Sequence, residues 1–463
     1  MKMQINAITK LVLLCSFILV GCSNSSYQQN SLTSQLSYTP QVANDYLVDQ
    51  KWWQAYQDPQ LDKLIEQGLA NNIDLAQSLL TMQKAMYEAN LSKVDLYPTL
   101  SGDLGATTSR NTYKHDSFNK NRSFSGELSL SYELDVLQKL HDSADANVAK
   151  YQASQFDVDN VRLTLINSII DVYYNLAYLN AAITATQSSL TNYQQMNNVT
   201  SAKYYKGKTD ELDLLQIVQS IKSDENSLLT YQTQLKENEQ TLRNLLNLKP
   251  SDKLNLNYPD MTMIKPLAVD LDIPLSVLAN RPDLKASELR LEAAFKDLAA
   301  QNKSWYPAIT LKTAINSSDN NIGNTFDFPV LLGSISISLP FLDWDRVSNN
   351  IHISETDYQT AQLNFENSIN TALNEVAYYY QAYNNNRIIL DNSQQQFTAN
   401  VKIMQLYDKR YQSGKSEFKD YLDSINTVNS SKINLINEHY QLIKDENMVF
   451  KAMAGRYHNI ASH

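Results

Sequence analysis

Helix breakers are scarce in this sequence: its 463 residues include only 10 glycines and 11 prolines. Glycine costs backbone entropy and proline lacks an N–H, so both tend to end helices. So few in so long a chain leave little room for a loop-rich architecture and point to long helices. Cysteine is confined to Cys15 and Cys22. Basic charge is in deficit, with 39 Lys+Arg against 49 Asp+Glu and no basic cluster, which argues against a nucleic-acid partner. The six histidines are scattered without ligand spacing, and His458 and His463 fall in the tail, so no metal site is expected. There is no nucleophile–base constellation and no phosphate loop, so neither enzymatic activity nor a cofactor is expected. The apolar run Leu11–Val20 has 10 residues, whereas a bilayer-spanning helix needs about 20.

That short run fits the core of a signal peptide. Lys2 and Lys10 precede it, and Leu19-Val20-Gly21-Cys22-Ser23 closes it. The order resembles the bacterial lipoprotein signal, in which small residues precede a cysteine that is acylated and becomes the first residue. On this reading residues 1–21 are removed, and Cys22 carries N-acyl and S-diacylglycerol lipid. Cys15 leaves with the signal, so no disulfide can form within one mature chain. Losing Lys2 and Lys10 leaves 37 basic residues against 49 acidic, a net charge near −12. The lack of Asp after the cysteine resembles the pattern passed on to the outer membrane.

The remaining breakers fall in two matching sets. Glu127 to Lys206 is free of Gly and Pro for 80 residues; Gly207 follows, then 42 clean residues to Lys249. Phe341 to Ser413 is clean for 73 residues; Gly414 follows, then 40 more to Ala454. Leu96-Tyr97-Pro98 has a partner in Trp305-Tyr306-Pro307, 209 positions on. Tyr204 to Lys208 (YYKGK) has one in Tyr411 to Lys415 (YQSGK), with the glycines 207 apart. Such self-similarity implies one unit of roughly 200 residues written twice.

Each half carries two period-two segments. Phe124, Gly126, Leu128, Leu130 and Tyr132 alternate with polar residues, as do Ile309, Leu311, Thr313 and Ile315, and Leu331, Gly333, Ile335, Ile337 and Leu339. A first strand, about Thr99 to Ser109, is less regular. Period two over about ten residues fits a half-buried strand and also a transmembrane strand. The clean runs carry heptads: Leu214, Ile221, Leu228, Leu235 and Leu242, matched 207 positions later by Tyr421, Val428, Leu435, Leu442 and Val449. In the first long run, Leu165, Ile169, Val172, Leu176, Leu179 and Ile183 step by four and three, the coiled-coil pattern. A helix of about 65 residues would reach about 100 Å.

Four strands cannot close a transmembrane barrel, and an open sheet in lipid leaves edge groups unpaired at several kcal/mol each. Three chains would supply twelve strands, an even number within the bacterial range.

Taken together, the lipoprotein signal, the doubled Tyr-Pro–strand–strand–long-helix unit and the paired glycine–lysine turns resemble the TolC-like outer-membrane factors, most of all their lipoprotein branch. Asn280-Arg281-Pro282-Asp283 is similar to that branch's start of the second repeat. Glu133-Leu134-Asp135 and Phe341-Leu342-Asp343 are similar to its strand-to-helix junctions, and Trp52-Trp53 with Asp58-Pro59-Gln60-Leu61 to its opening. At the first junction Val136-Leu137-Gln138-Lys139 departs from the family's Phe-Gly-Arg step.

The resemblance implies a mainly α fold with a transmembrane β-barrel. Long antiparallel coiled-coil helices would form a periplasmic α-barrel, and four strands per chain would build a trimeric 12-stranded barrel. It implies a lipid-anchored segment at 22–60, a first repeat at 61–250 with its tip turn at 204–208, an equatorial linker at 251–282, and a second repeat at 283–463 with its turn at 411–415. The function implied is the outer-membrane duct of a tripartite efflux system. Its implied partners are two further copies of itself, a periplasmic adaptor, an inner-membrane pump of the RND type and outer-membrane lipid.

By the same resemblance, Gly207 and Gly414 mark the tunnel tip, and acids six and nine positions past the second glycine, Asp420 and Asp423, line its constriction. Residues three apart share a helix face, so three chains would stack two acidic rings. The alternative is ordinary first-turn acids, favoured there by the helix dipole. Tyr411 matches the family's tip latch, with Asp213 as its partner and Lys415 nearby; Ser416 stands where the family has the latch's basic residue. Tyr411 packing between helices is the competing reading. Trp305 and Trp344, beside strand ends, are candidate membrane-interface aromatics, whereas Trp52 and Trp53 are expected in a core. The competing class is a periplasmic coiled-coil scaffold or adhesin lipoprotein with no pore, which accounts for heptads and lipid but not for four strands of transmembrane length.

Overall fold

The computed structural model describes residues 46–49, 51–110, 120–269, 275–327 and 329–459. Cys22, the signal residues 1–21 and most of the loop after Arg110 lie outside them. The chain forms two compact units. Among the described residues, one comprises 81–155 with 286–366, and the other 46–80, 156–285 and 367–459.

The first unit holds a four-stranded antiparallel sheet of β2 (Thr99–Arg110), β3 (Lys120–Leu134), β4 (Ala308–Asp319) and β5 (Val330–Ser338), in that order. A short strand β1 (Tyr46–Asp49) belongs to the second unit. β3 and β4 run longer than the alternation suggested, because their polar ends still pair: Lys120 lies opposite Arg110 and Asp319 opposite Phe124. Helical segments flank the sheet in sequence: α2 (Ile73–Val94), α3 (Lys139–Tyr205), α5 (Pro282–Asn302) and α6 (Trp344–Gln412). Within this unit Asp142 and Asp145 of α3 face Lys296 of α5, and Lys303 also reaches Asp142. The start of α3 is fixed by Asp135, whose carboxylate accepts the Leu140 and His141 backbone N–H groups at 3.1 and 2.9 Å. The departing residue Gln138 takes φ +60°, a left-handed conformation that glycine adopts freely.

In the second unit a helical segment precedes the long helices. Asp58 caps α1 (Pro59–Asn71), accepting from Gln60 and Leu61, and Pro59 occupies the first turn, where its missing N–H costs nothing. Asn72 ends α1 and its side chain accepts from Leu75 in the first turn of α2, so one residue closes one helix and opens the next. The long helices return through α4 (Glu211–Leu245) and α7 (Phe418–Ala452), each of 35 residues, against 67 for α3 and 69 for α6. The four-and-three stripe of α3 is its buried face: Leu165, Ile169, Val172, Leu176, Leu179 and Ile183 are all buried. α4 buries only Ile217 and Leu242 beneath the same heptad pattern, whereas α7 buries residues along most of its length. No helix among the described residues is long and apolar enough to cross a membrane.

Trp52 and Trp53 are buried, as expected, in a short 3-10 turn, with their rings edge-to-face at 5.4 Å. Trp52 Nε1 donates to Asn447 Oδ1 at 2.9 Å, and the Tyr56 hydroxyl donates to Glu446 Oε2 at 2.7 Å. Asn447 in turn donates to Tyr56 Oη, and Asn167 donates to the Asn447 carbonyl. Strand β1 pairs with β6 (Arg456–Asn459), so the two ends of the described chain share one ladder. Arg281, buried, forks onto Asp283, bonds Glu375 at 2.8 Å and donates to the Ala452 carbonyl, which gives the Arg-Pro-Asp motif a structural task.

Candidate functional site

Two places carry the functional expectations: the sheet of the first unit and the helix tips of the second. In the sheet, register sorts the side chains onto two faces. One face carries Leu100, Leu130 and Thr313 in one row, Gly102, Leu128 and Ile315 in the next, with Leu331 beside Ile315 and Ile335 beside Leu311. The other carries Asp103 opposite Glu127, and Ser101 opposite Ser129, whose hydroxyls bond at 2.9 Å. On this face Lys312 pairs with Glu127 at 2.8 Å.

The apolar face is solvent-exposed in the single chain: Leu104, Leu331, Ile335 and Ile337 all stand out, and every residue of β5 is exposed. An isolated sheet in water would hide that face or keep it polar. From Phe124 to Leu134 the apolar face of β3 runs about 34 Å, or about 24 Å at a 45° tilt, against about 25 Å for the lipid-facing band of a barrel. The chain from Ser317 to Phe326 folds onto the same face: a Cβ on Gly126 would sit 2.7 Å from the Phe326 ring, so the ring rests closely on the glycine. The sheet's outer strands, β2 and β5, each have one paired neighbour among the described residues. Trp305 and Trp344 meet with ring centroids 4.8 Å apart at the ends of β4 and β5, and Tyr97, Tyr306 and Phe341 are exposed in the segments flanking the strands.

The two tips are built alike. Gly207 and Gly414 have φ of +64° and +69°, with open space where a Cβ would lie. In each turn the N–H one past the glycine reaches back five residues, Lys208 to the Lys203 carbonyl and Lys415 to that of Arg410. This is the Schellman closure, which favours glycine at its left-handed position. Asp210 caps α4, and Asp213 accepts from the Thr209 hydroxyl, so Asp213 is engaged in the turn of its own hairpin. Asp420 and Asp423 are exposed on α7, on the side away from buried Phe418, Leu422 and Ile425, and Asp423 pairs with Lys419 at 3.3 Å. Lys415 is exposed at the turn.

Tyr411 is not bonded to Asp213 in this chain. Its hydroxyl accepts a hydrogen bond from Lys203 Nζ at 3.0 Å, across 208 positions of sequence. Lys203 was not among the sequence candidates. Its place in the last turn of α3 has an ordinary explanation in the helix dipole, and only the packing of α3 beside α6 brings it to a phenol.

The family described as "Outer membrane efflux protein" matches residues 64–248 and 273–455. An uncharacterized protein of Haemophilus influenzae is 40% identical over 449 residues, covering 96% of this chain and 98% of that protein. "Toxin and drug export protein A" of Aggregatibacter actinomycetemcomitans is 37% identical, covering 96% and 97%. Among solved structures, the outer-membrane channel OprN superposes with a TM-score of 0.80 at 20% identity, covering 88% of this chain and 93% of that one. At that identity the likeness concerns the fold.

Proposed function

The chain belongs to the outer membrane efflux protein family, and we propose that it works as a lipid-anchored homotrimeric duct with a 12-stranded barrel. As a family member it is an outer-membrane efflux channel. The observation that carries the trimer is the sheet: an exposed apolar face of membrane height and two outer strands, β2 and β5, each with a single paired neighbour. In lipid those edges need partners, and β5 of one copy against β2 of the next satisfies both. The four strands and two helical hairpins of a chain then form one third of a wall, each half the product of an ancestral duplication. Trp305 and Trp344 sit at the membrane interface.

The helical hairpins extend the duct into the periplasm and end at the glycine turns Gly207 and Gly414. Asp420 and Asp423 line the constriction there, with Asp213, Tyr411 and Lys415 around it. A periplasmic adaptor and an inner-membrane pump of the RND type deliver cargo to this end. Cys22 carries the lipid. Heat-modifiable trimers in detergent that give single-channel current in planar bilayers are the expected result; a monomer that carries no current refutes the duct.

A further inference from the structure

The geometry points to Lys203 as the residue that ties the first helical hairpin to the second at the tip, holding the tip closed through the Tyr411 phenol. The inference rests on the duct reading for its consequence, though not for the tie itself.

Lys203 lies four residues before Gly207 and Tyr411 three before Gly414, so each stands in the last turn before its hairpin's bend. The Lys203 ammonium donates to Tyr411 Oη at 3.0 Å and lies 5.0 Å from the ring centroid. The ring it meets is held on its other sides: Tyr421 stacks on it at 5.8 Å and 13°, and Phe418 leans on it at 5.5 Å. Beneath these rings lies an apolar cluster with both hairpins in it, Tyr193 and Ile217 from the first, Phe418 and Leu422 from the second. Asn429 continues the seam by donating to Ser189 at 2.7 Å.

These contacts differ in what they allow. The apolar cluster holds the hairpins together by close packing, which is non-directional and pairs no donor with an acceptor. A hydrogen bond from a cation to a phenol is directional and weakens steeply with angle. It therefore fixes the register of one hairpin on the other, and it is the contact nearest the bends. Asp213, the residue expected to hold Tyr411, is engaged by Thr209 instead. Lys203 is a positioning residue: it acts through Tyr411 and touches no cargo.

Five purified full-length proteins test this: wild type, Lys203→Met, Tyr411→Phe, these two combined, and Lys203→Arg, with Lys206→Met as a control on an exposed lysine of the same turn. Each is read by single-channel conductance in planar bilayers and by hydrogen exchange over residues 190–225 and 404–430. Losing one charge-assisted hydrogen bond is expected to speed local opening about tenfold. Met and Phe variants should both exchange faster at the tip and leak more in the closed state. Combining them should add little, because they remove the same bond. Arg should restore wild-type behaviour, since it still donates, and Lys206→Met should match wild type. Unchanged exchange in Lys203→Met overturns the tie. Faster exchange with unchanged leak overturns its gating role. Absence of current in the wild type, with the exchange pattern intact, defeats the duct reading and leaves the tie standing.

Discussion

Glu446 offers a sharp test of how the second unit is held together. It is fully buried in α7 and accepts from the Tyr56 hydroxyl at 2.7 Å. Burial pushes its carboxyl up from 4.5 to about 7, against the Tyr56 hydroxyl, the backbone N–H groups of Leu267 and Ala268 and the Arg456 guanidinium, which favour the charged form. The sign follows from linkage. The folded state holds the proton more tightly than the unfolded chain, so the stabilisation is complete below pH 4.5 and is lost as pH rises through about 7. At about 1.4 kcal/mol per pKa unit, the loss between pH 5 and 8 comes to roughly 3 kcal/mol for each chain. A change of that size should lower the melting temperature by on the order of 5 °C. Glu446→Gln keeps an acceptor for Tyr56 but cannot ionise. Circular-dichroism melts of the detergent-solubilised protein from pH 5 to 8 should therefore fall for the wild type and stay nearly flat for the variant. The comparison rests on slopes, so any fixed cost of the amide drops out. A variant that declines in parallel with the wild type would refute the argument, because some other group would then carry the pH dependence.

Three further outcomes are expected. If the proposed barrel spans the membrane, replacing Cys22 by Ala should abolish acylation while some trimer still reaches the outer membrane; complete loss of membrane association counts against a barrel. On the sheet, Leu128→Arg should cost about 2–4 kcal/mol per chain if that face meets lipid and should cut trimer yield, whereas Ser131→Arg on the opposite face should be tolerated; equal yields would count against the assignment of faces. At the tip, Asp420→Ala with Asp423→Ala should weaken cation selectivity and remove block by multivalent cations from the periplasmic side, with trimer yield near normal. Lys419→Ala should strengthen selectivity by freeing Asp423; unchanged block in the double mutant returns Asp420 to an ordinary first-turn acid and Asp423 to an ordinary solvated one.

The fold was legible wherever a residue's own chemistry sets its local structure. Gly207 and Gly414 announce the bends because few other residues take φ near +65° without cost. Leu165 to Ile183 announces the buried stripe because a helix repeats every 3.6 residues. The alternation in β3 likewise survives intact, since slipping the register by one would turn Leu128 and Leu130 to the other face. The split of the first helix at Asn72 was not legible, because Asn in a helical run reads as a weak former until its side chain is seen capping Leu75.

The tip sets the limit. Family likeness brings Tyr411 forward and pairs it with Asp213, an acid of the first hairpin. Yet Asp213 lies three residues past the cap Asp210, beside the Thr209 hydroxyl, and a short carboxylate in that position bonds its own turn first. Lys203, on a long flexible stem at the end of α3, extends to the phenol of the neighbouring hairpin. Which side chain crosses between two helices depends on their rotation about each other. That rotation is set by the buried residues packed beneath Tyr411, among them Tyr193, Ile217 and Leu422. A contact across 208 positions thus depends on packing that no local pattern encodes. The same separation explains why the hairpin bends could be read to the residue while their cross-link could not.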